Sequence, residues 1–138
     1  IKEINSFETM GIWDHIEKLK HSKSKLPNGA SMIIEPTSAF VAVDVNTGND
    51  FSLSAGLKAN LAVAKELPNQ LSLRGLGGQI IIDFAPSPKK DRKLIETALN
   101  SSFRKGKIDT VVVGWTTLGN FELQRKRERI PLSELLQD

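Results

Sequence analysis

Two stretches, Phe40-Val41-Ala42-Val43-Asp44 and Gln79-Ile80-Ile81-Ile82-Asp83, decide how the chain is read. Each is a short apolar run rich in β-branched residues and flanked by turn-forming residues, the pattern of a buried strand. Each also ends in an aspartate. A carboxylate contributes nothing to packing there, and in open α/β sheets the carboxyl ends of the strands are where ligands bind. Between the two runs, Leu57, Leu61, Ala64 and Leu67 recur at helical spacing, predicting a helix capped near Ser54 and kinked or ended at Pro68. Strands joined through a helix are expected to run parallel. Paired neighbours lie about 4.8 Å apart, so Asp44 and Asp83 would converge on one site if these two strands pair.

Working outward, Ser31–Glu35 and Ala39–Val45 read as a hairpin joined by Pro36-Thr37-Ser38 and preceded by the turn Leu26-Pro27-Asn28-Gly29. Upstream, Ile12, Trp13, Ile16 and Leu19 predict an amphipathic helix whose C-terminal end is made basic by Lys18, Lys20, Lys23 and Lys25. Downstream, a helix is expected from Lys89 to Lys105 with Leu94, Ile95, Ala98, Leu99 and Phe103 facing inward. Strands at Thr110–Trp115 and Phe121–Arg125 and a short helix at Pro131–Leu136 complete the pattern. The expected architecture is an α/β fold, a mixed β-sheet with helices packed on it. It forms a single compact subdomain over residues 26–138, preceded by an N-terminal helical segment over 1–25.

Composition narrows the function classes. The chain has 138 residues, 39% of them hydrophobic, with 19 Lys+Arg against 16 Asp+Glu. That length supports one real core, the apolar fraction excludes a disordered chain, and no run reaches the roughly 18 residues of a membrane span. Zero Cys remove thiol catalysis, disulfides and zinc ribbons, and the two histidines, His15 and His21, lack the spacing of a helical metal pair. Any metal would be held mainly by oxygen. A net charge of +3 is a mild excess. The chain opens on Ile1 without a leader pattern and is expected to be a piece of a longer protein.

Alternation along the first strand places Asn46 on the face of Asp44. Two converging carboxylates repel unless a cation or a proton lies between them, and a hard oxygen-seeking ion such as Mg²⁺ fits two carboxylates plus water. The alternative is that each aspartate merely starts a turn, a reading to which Asp44, just before Asn46-Thr47-Gly48, is open. The run Arg125-Lys126-Arg127-Glu128-Arg129 is either a phosphate contact or a solvated edge. Lys89, Lys90 and Arg92, interrupted by Asp91, make a minor basic patch, and Gly77-Gly78 lacks the rest of any phosphate-binding loop.

The blocks Val43-Asp44-Val45-Asn46-Thr47-Gly48 and Leu76-Gly77-Gly78-Gln79-Ile80-Ile81-Ile82-Asp83-Phe84 resemble the ribonuclease E/G family of bacterial endoribonucleases. So do Asn60-Leu61, Gln70-Leu71-Ser72-Leu73-Arg74, Leu26–Ser31 and Leu118–Arg127. The resemblance implies the deoxyribonuclease-I-like catalytic subdomain, with Asp44 and Asp83 holding catalytic Mg²⁺ (Mn²⁺ also being acceptable) and Asn46 orienting the site. It implies hydrolysis of single-stranded RNA to leave 5′-phosphate and 3′-hydroxyl ends, in the bacterial cytoplasm. It further implies upstream OB-fold and 5′-sensor domains in the parent chain and a possible homo-oligomer. Arg74, Arg125 and Arg127 are the candidate RNA-phosphate contacts. Three features depart from the family pattern: a short loop from Gly48 to Ser54, Thr117 where an arginine is usual, and no Cys for the family's zinc link. No zinc is therefore expected in this stretch, and the alternative function is an RNA-binding or scaffolding domain that kept the fold but lost efficient cleavage.

Overall fold

The computed structural model describes residues 22–127, which form one six-stranded sheet and two helices. In chain order the strands are β1 (Lys23–Lys25), β2 (Ser31–Pro36), β3 (Val41–Asn46), β4 (Gly78–Asp83), β5 (Thr110–Trp115) and β6 (Phe121–Arg125). Helix α1 (Leu53–Arg74) links β3 to β4, and α2 (Arg92–Arg104) links β4 to β5. The order across the sheet is β1-β2-β3-β4-β6-β5, and only the β3–β4 pair is parallel. The expected mixed sheet with an antiparallel hairpin and a parallel helical crossover is what the chain forms. β5 also runs parallel to β4, with β6 inserted between them.

One face of the sheet carries the core. Met32, Ile34, Val41, Val43, Val45, Ile80, Ile82, Phe121 and Leu123 are buried, and against them lie Val63, Ala64, Leu67 and Leu71 of α1 and Ile95, Leu99 and Phe103 of α2. The alternate residues of β3, Ala42, Asp44 and Asn46, are half-buried or exposed. The sheet therefore has a helix-covered face and an open face, the alternation expected of a half-solvated sheet.

Local chemistry explains the main departures from the sequence reading. The cap of helix α1 lies two residues before the expected Ser54, because Ser52 Oγ accepts from Ala55 N–H at 3.2 Å. It runs through Pro68 to Arg74. An interior proline costs a helix about 3 kcal/mol, but Leu67 and Leu71 on either side are fully buried, and their packing holds the helix together. Gly75, with φ 65°, supplies the left-handed stop, and Leu76 N–H returns to the Leu71 carbonyl at 2.9 Å. In α2 the buried stripe is Ile95, Leu99 and Phe103, while Leu94, expected inward, is 49% exposed because it lies off that i, i+4 line.

The expected helical segment 1–25 does not extend to its boundary: Lys23–Lys25 form β1, pairing with Ser31–Ile33 and extending the sheet. Three residues suffice because β1 is held against a strand already anchored in the core. The predicted helices at Met10–Lys20 and Pro131–Leu136 lie outside the described residues. No described helix is long and apolar enough to cross a membrane.

Candidate metal and RNA site

The parallel register pairs Val41 with Ile80, Val43 with Ile82 and Asp44 with Asp83. The two aspartates therefore occupy adjacent strands at the same level and point to the same, open face, with backbones about 4.8 Å apart. Both are exposed. Partial burial, the neighbouring charge of Asp83 and, more weakly, that of Glu35 raise the Asp44 carboxyl above its ordinary value, against the opposing donation of Val45 N–H. The donor set is two carboxylates of hard oxygen that repel each other, which fits a divalent cation such as Mg²⁺. Among the described residues no group of three or more His, Cys, Asp or Glu is placed to hold a metal, so water and substrate oxygens would have to supply the remaining ligands.

Asn46 ends β3 on the same face as Asp44. Its Oδ1 accepts from Gly48 N–H at 2.8 Å, closing the Asn46-Thr47-Gly48 turn and leaving the Nδ2 hydrogens as donors beside the carboxylates. Gly48 has φ 76°, and a Cβ there would stand 2.8 Å from the Gly29 carbonyl oxygen. The Pro27–Gly29 turn thus braces the loop that carries Asn46.

Behind Asp83 lies a residue that the sequence reading did not assign a task. Asn60 of α1 is fully buried; its Oδ1 accepts from Ala85 N–H at 2.9 Å, and its Nδ2 donates to the Ala85 carbonyl at 2.8 Å and to Ser87 Oγ at 3.3 Å. It does for Ala85 what a neighbouring strand would do, fixing the chain as it leaves Asp83. Four residues earlier, Gly56 lets α1 approach so closely that any Cβ would collide with the Pro86 carbonyl. The signal available in the sequence was a polar residue on the apolar stripe of a helix, which must find partners when buried.

The three candidate arginines are not gathered at the carboxylates. Arg125 is the register partner of Gly78, at the opposite end of β4 from Asp83, about 17 Å away at roughly 3.3 Å per residue. Contrary to its expected role as a phosphate contact, Arg125 is buried, 5% exposed. It donates to Ser72 Oγ at 2.8 Å and Thr110 Oγ1 at 3.3 Å, with its guanidinium 5.8 Å from the Phe103 ring centre. It faces the core because Leu123 and Phe121 do, two and four residues before it. Arg74 ends α1 at that same rim, its Nε donating to Gln70 Oε1 at 3.3 Å. Arg127 is exposed there and lies against Gly77 and Gly78. The β5–β6 turn that carries Thr117 sits at the aspartate end of the sheet, since Phe121 pairs with Ile82.

Residues 1–128 match the model of the ribonuclease E/G family. The chain is 32% identical to ribonuclease G of Escherichia coli (strain K12) over 139 residues, covering 94% of this chain and 28% of ribonuclease G. Against ribonuclease E of the same strain it is 32% identical over 138 residues, covering 96% of this chain and 13% of that protein. Against ribonuclease E of Synechocystis sp. it is 40% identical over 116 residues, 80% of this chain and 17% of that protein. The chain therefore spans little more than a quarter of the length of ribonuclease G and less of ribonuclease E.

Proposed function

The chain belongs to the ribonuclease E/G family, and from that premise we propose that it is the catalytic subdomain of a metal-dependent endoribonuclease acting on single-stranded RNA. The observation that carries the proposal is the shared level of Asp44 and Asp83 on adjacent parallel strands. Asp44 and Asp83 would hold Mg²⁺, or Mn²⁺ in its place. When bound, the ion supplies charge neutralisation at the scissile phosphate and activation of water at neutral pH. Asp44 and Asp83 orient that charge from a rigid sheet, and the Nδ2 of Asn46 donates to a phosphate oxygen or to the attacking water. Asn60 holds the chain leaving Asp83 and positions it without touching RNA. The products would carry 5′-phosphate and 3′-hydroxyl ends. OB-fold and 5′-sensor domains of a longer chain would grip the strand, with Arg127 as a remote phosphate contact. The compartment would be the bacterial cytoplasm.

The second reading is an RNA-binding or scaffolding domain that kept the fold but lost efficient cleavage. Cleavage of a labelled single-stranded RNA by the full chain with Mg²⁺ decides between them. The nuclease reading expects cutting that chelator abolishes and that Asp44→Asn or Asp83→Asn lowers by at least a hundredfold. Wild-type rates in either variant overturn the metal assignment, and RNA binding with no cutting under Mg²⁺ or Mn²⁺ supports the binding domain.

A further inference from the structure

The open face of the sheet carries a second charged feature, at the edge opposite β5. Lys23 pairs with Ile33, Ile33 with Asp44 and Asp44 with Asp83, so these four residues lie in one line across β1, β2, β3 and β4. The next line runs Lys25, Ser31, Asn46. Residues in register share a face, so both lysines stand on the side of the carboxylates, with the Lys23 backbone about 10 Å from that of Asp44 across two strand spacings. Between them the floor is low: Ser31 is buried and small, and Ile33 is half-buried. Both lysines are exposed, and neither has an ion-pair partner among the described residues.

Charge on this face is graded. On the far side of β4, Glu122 accepts from Gln79 Nε2 at 2.8 Å, and Gln124 follows it in register with Gln79, so that flank offers a carboxylate and amides. The β1–β2 flank offers two cations, Lys23 and Lys25, against one exposed carboxylate, Glu35, which stands on the same face in register with Ala42, on the far side of Ile33 from Ser31. A polyanion whose scissile phosphate lies at Asp44 and Asp83 is repelled by the first flank and attracted by the second.

We propose that Lys23 and Lys25 form a phosphate-binding subsite for the single-stranded RNA that extends from the Asp44–Asp83 pair across β2 to β1, a proposal that rests on the nuclease reading. The lysines hold phosphates neighbouring the scissile one, the sugar–phosphate backbone lying over Ser31 and Ile33. Lysine is suited to this task as a flexible point charge that follows a mobile strand. Lysines on an edge strand can also serve to block edge-to-edge pairing, and the two roles differ in what their removal changes.

The test is RNA affinity against salt. Binding of a fluorescent single-stranded oligoribonucleotide to the full chain is measured by anisotropy in chelator, over a range of KCl. Three proteins are compared: wild type, Lys23→Ala/Lys25→Ala, and Lys65→Ala/Lys105→Ala, whose lysines lie together on the helical layer. Each phosphate contact on a single strand adds about 0.7 to the slope of log affinity against log salt. The β1 variant is expected to lose about 1.4 from that slope and the helical-layer variant nothing, with Lys23→Arg/Lys25→Arg restoring the wild-type value. An unchanged slope in the β1 variant, or equal losses in both double variants, overturns the subsite. An unchanged slope in a chain that still cuts RNA with Mg²⁺ removes the subsite and leaves the nuclease reading. A lost slope in a chain that never cuts does the reverse.

Discussion

Asn60 and Ala85, 25 residues apart, are joined by two hydrogen bonds that satisfy both main-chain groups of Ala85. This contact ties the helix leaving the Asp44 strand to the segment leaving the Asp83 strand. The two carboxylates are therefore set against each other twice, by the β3–β4 ladder and by α1 behind it.

Asn60→Ala removes both bonds and leaves the Ala85 N–H and carbonyl buried without partners. An unpaired buried polar group costs about 1–3 kcal/mol, so with two of them unfolding in urea is expected to show a loss of about 2–6 kcal/mol. Because the segment released is the one carrying Asp83, Mg²⁺ affinity, measured by calorimetry on folded protein, is expected to weaken as well. Unchanged affinity would confine Asn60 to holding the fold together.

The Asp44 carboxyl is raised in the folded chain above 3.8, its ordinary value. A raised acid binds its proton more tightly folded than unfolded, so stability falls as pH rises from 3.8 through the folded value. Without metal, Asp44→Asn is expected to flatten that part of the Tm-against-pH curve and to match or exceed the wild-type Tm above it. With saturating Mg²⁺ the order reverses: the wild type gains about 2.7 kcal/mol at a hundred times Kd, and Asp44→Asn and Asp83→Asn gain little. Equal Mg²⁺ protection of all three proteins would place the ion elsewhere.

The sheet was legible because its strands are runs of Val and Ile bounded by turn residues, a pattern with one physical solution. The aspartate pair was legible for the same reason, since a carboxylate ending such a run has no role in packing. Register was not: hydrophobic alternation says which face a residue takes but not its level against the next strand, and that level makes Asp44 and Asp83 neighbours. Pro68 misled because local propensity argues for a break, whereas Leu67 and Leu71, buried on the sheet, outweigh it. Lys23 and Lys25 read as a helix end because a three-residue edge strand has too short a pattern to recognise. Arg125 read as a surface charge because its partners, Ser72 and Thr110, lie 53 and 15 residues away.

Gly48 and Gly75 both have positive φ, but only Gly48 is backed by another chain segment, the Gly29 carbonyl. Gly75→Ala is expected to cost about 1 kcal/mol, from the left-handed conformation alone. Gly48→Ala adds a steric clash and is expected to cost about 2–3 kcal/mol. It should also displace the Asn46 turn, so that RNA cleavage falls further than the loss of folded protein explains. Equal costs for the two glycines would mean that the Pro27–Gly29 turn does not brace the site.

Arg125 offers the converse separation, of stability from RNA contact. Its guanidinium is buried between Ser72, Thr110 and Phe103. Arg125→Met keeps the apolar stem but loses hydrogen bonds from a charged donor, each worth about 1.5–3 kcal/mol. Urea unfolding is expected to show a loss of that order, with the salt dependence of RNA binding unchanged. A phosphate contact would instead reduce the salt slope by about 0.7 with little change in stability. Arg127→Ala, altering an exposed side chain at the same rim, should leave stability within about 0.5 kcal/mol of wild type. The two substitutions together thus report whether the far end of β4 meets RNA at all, and through which of its arginines.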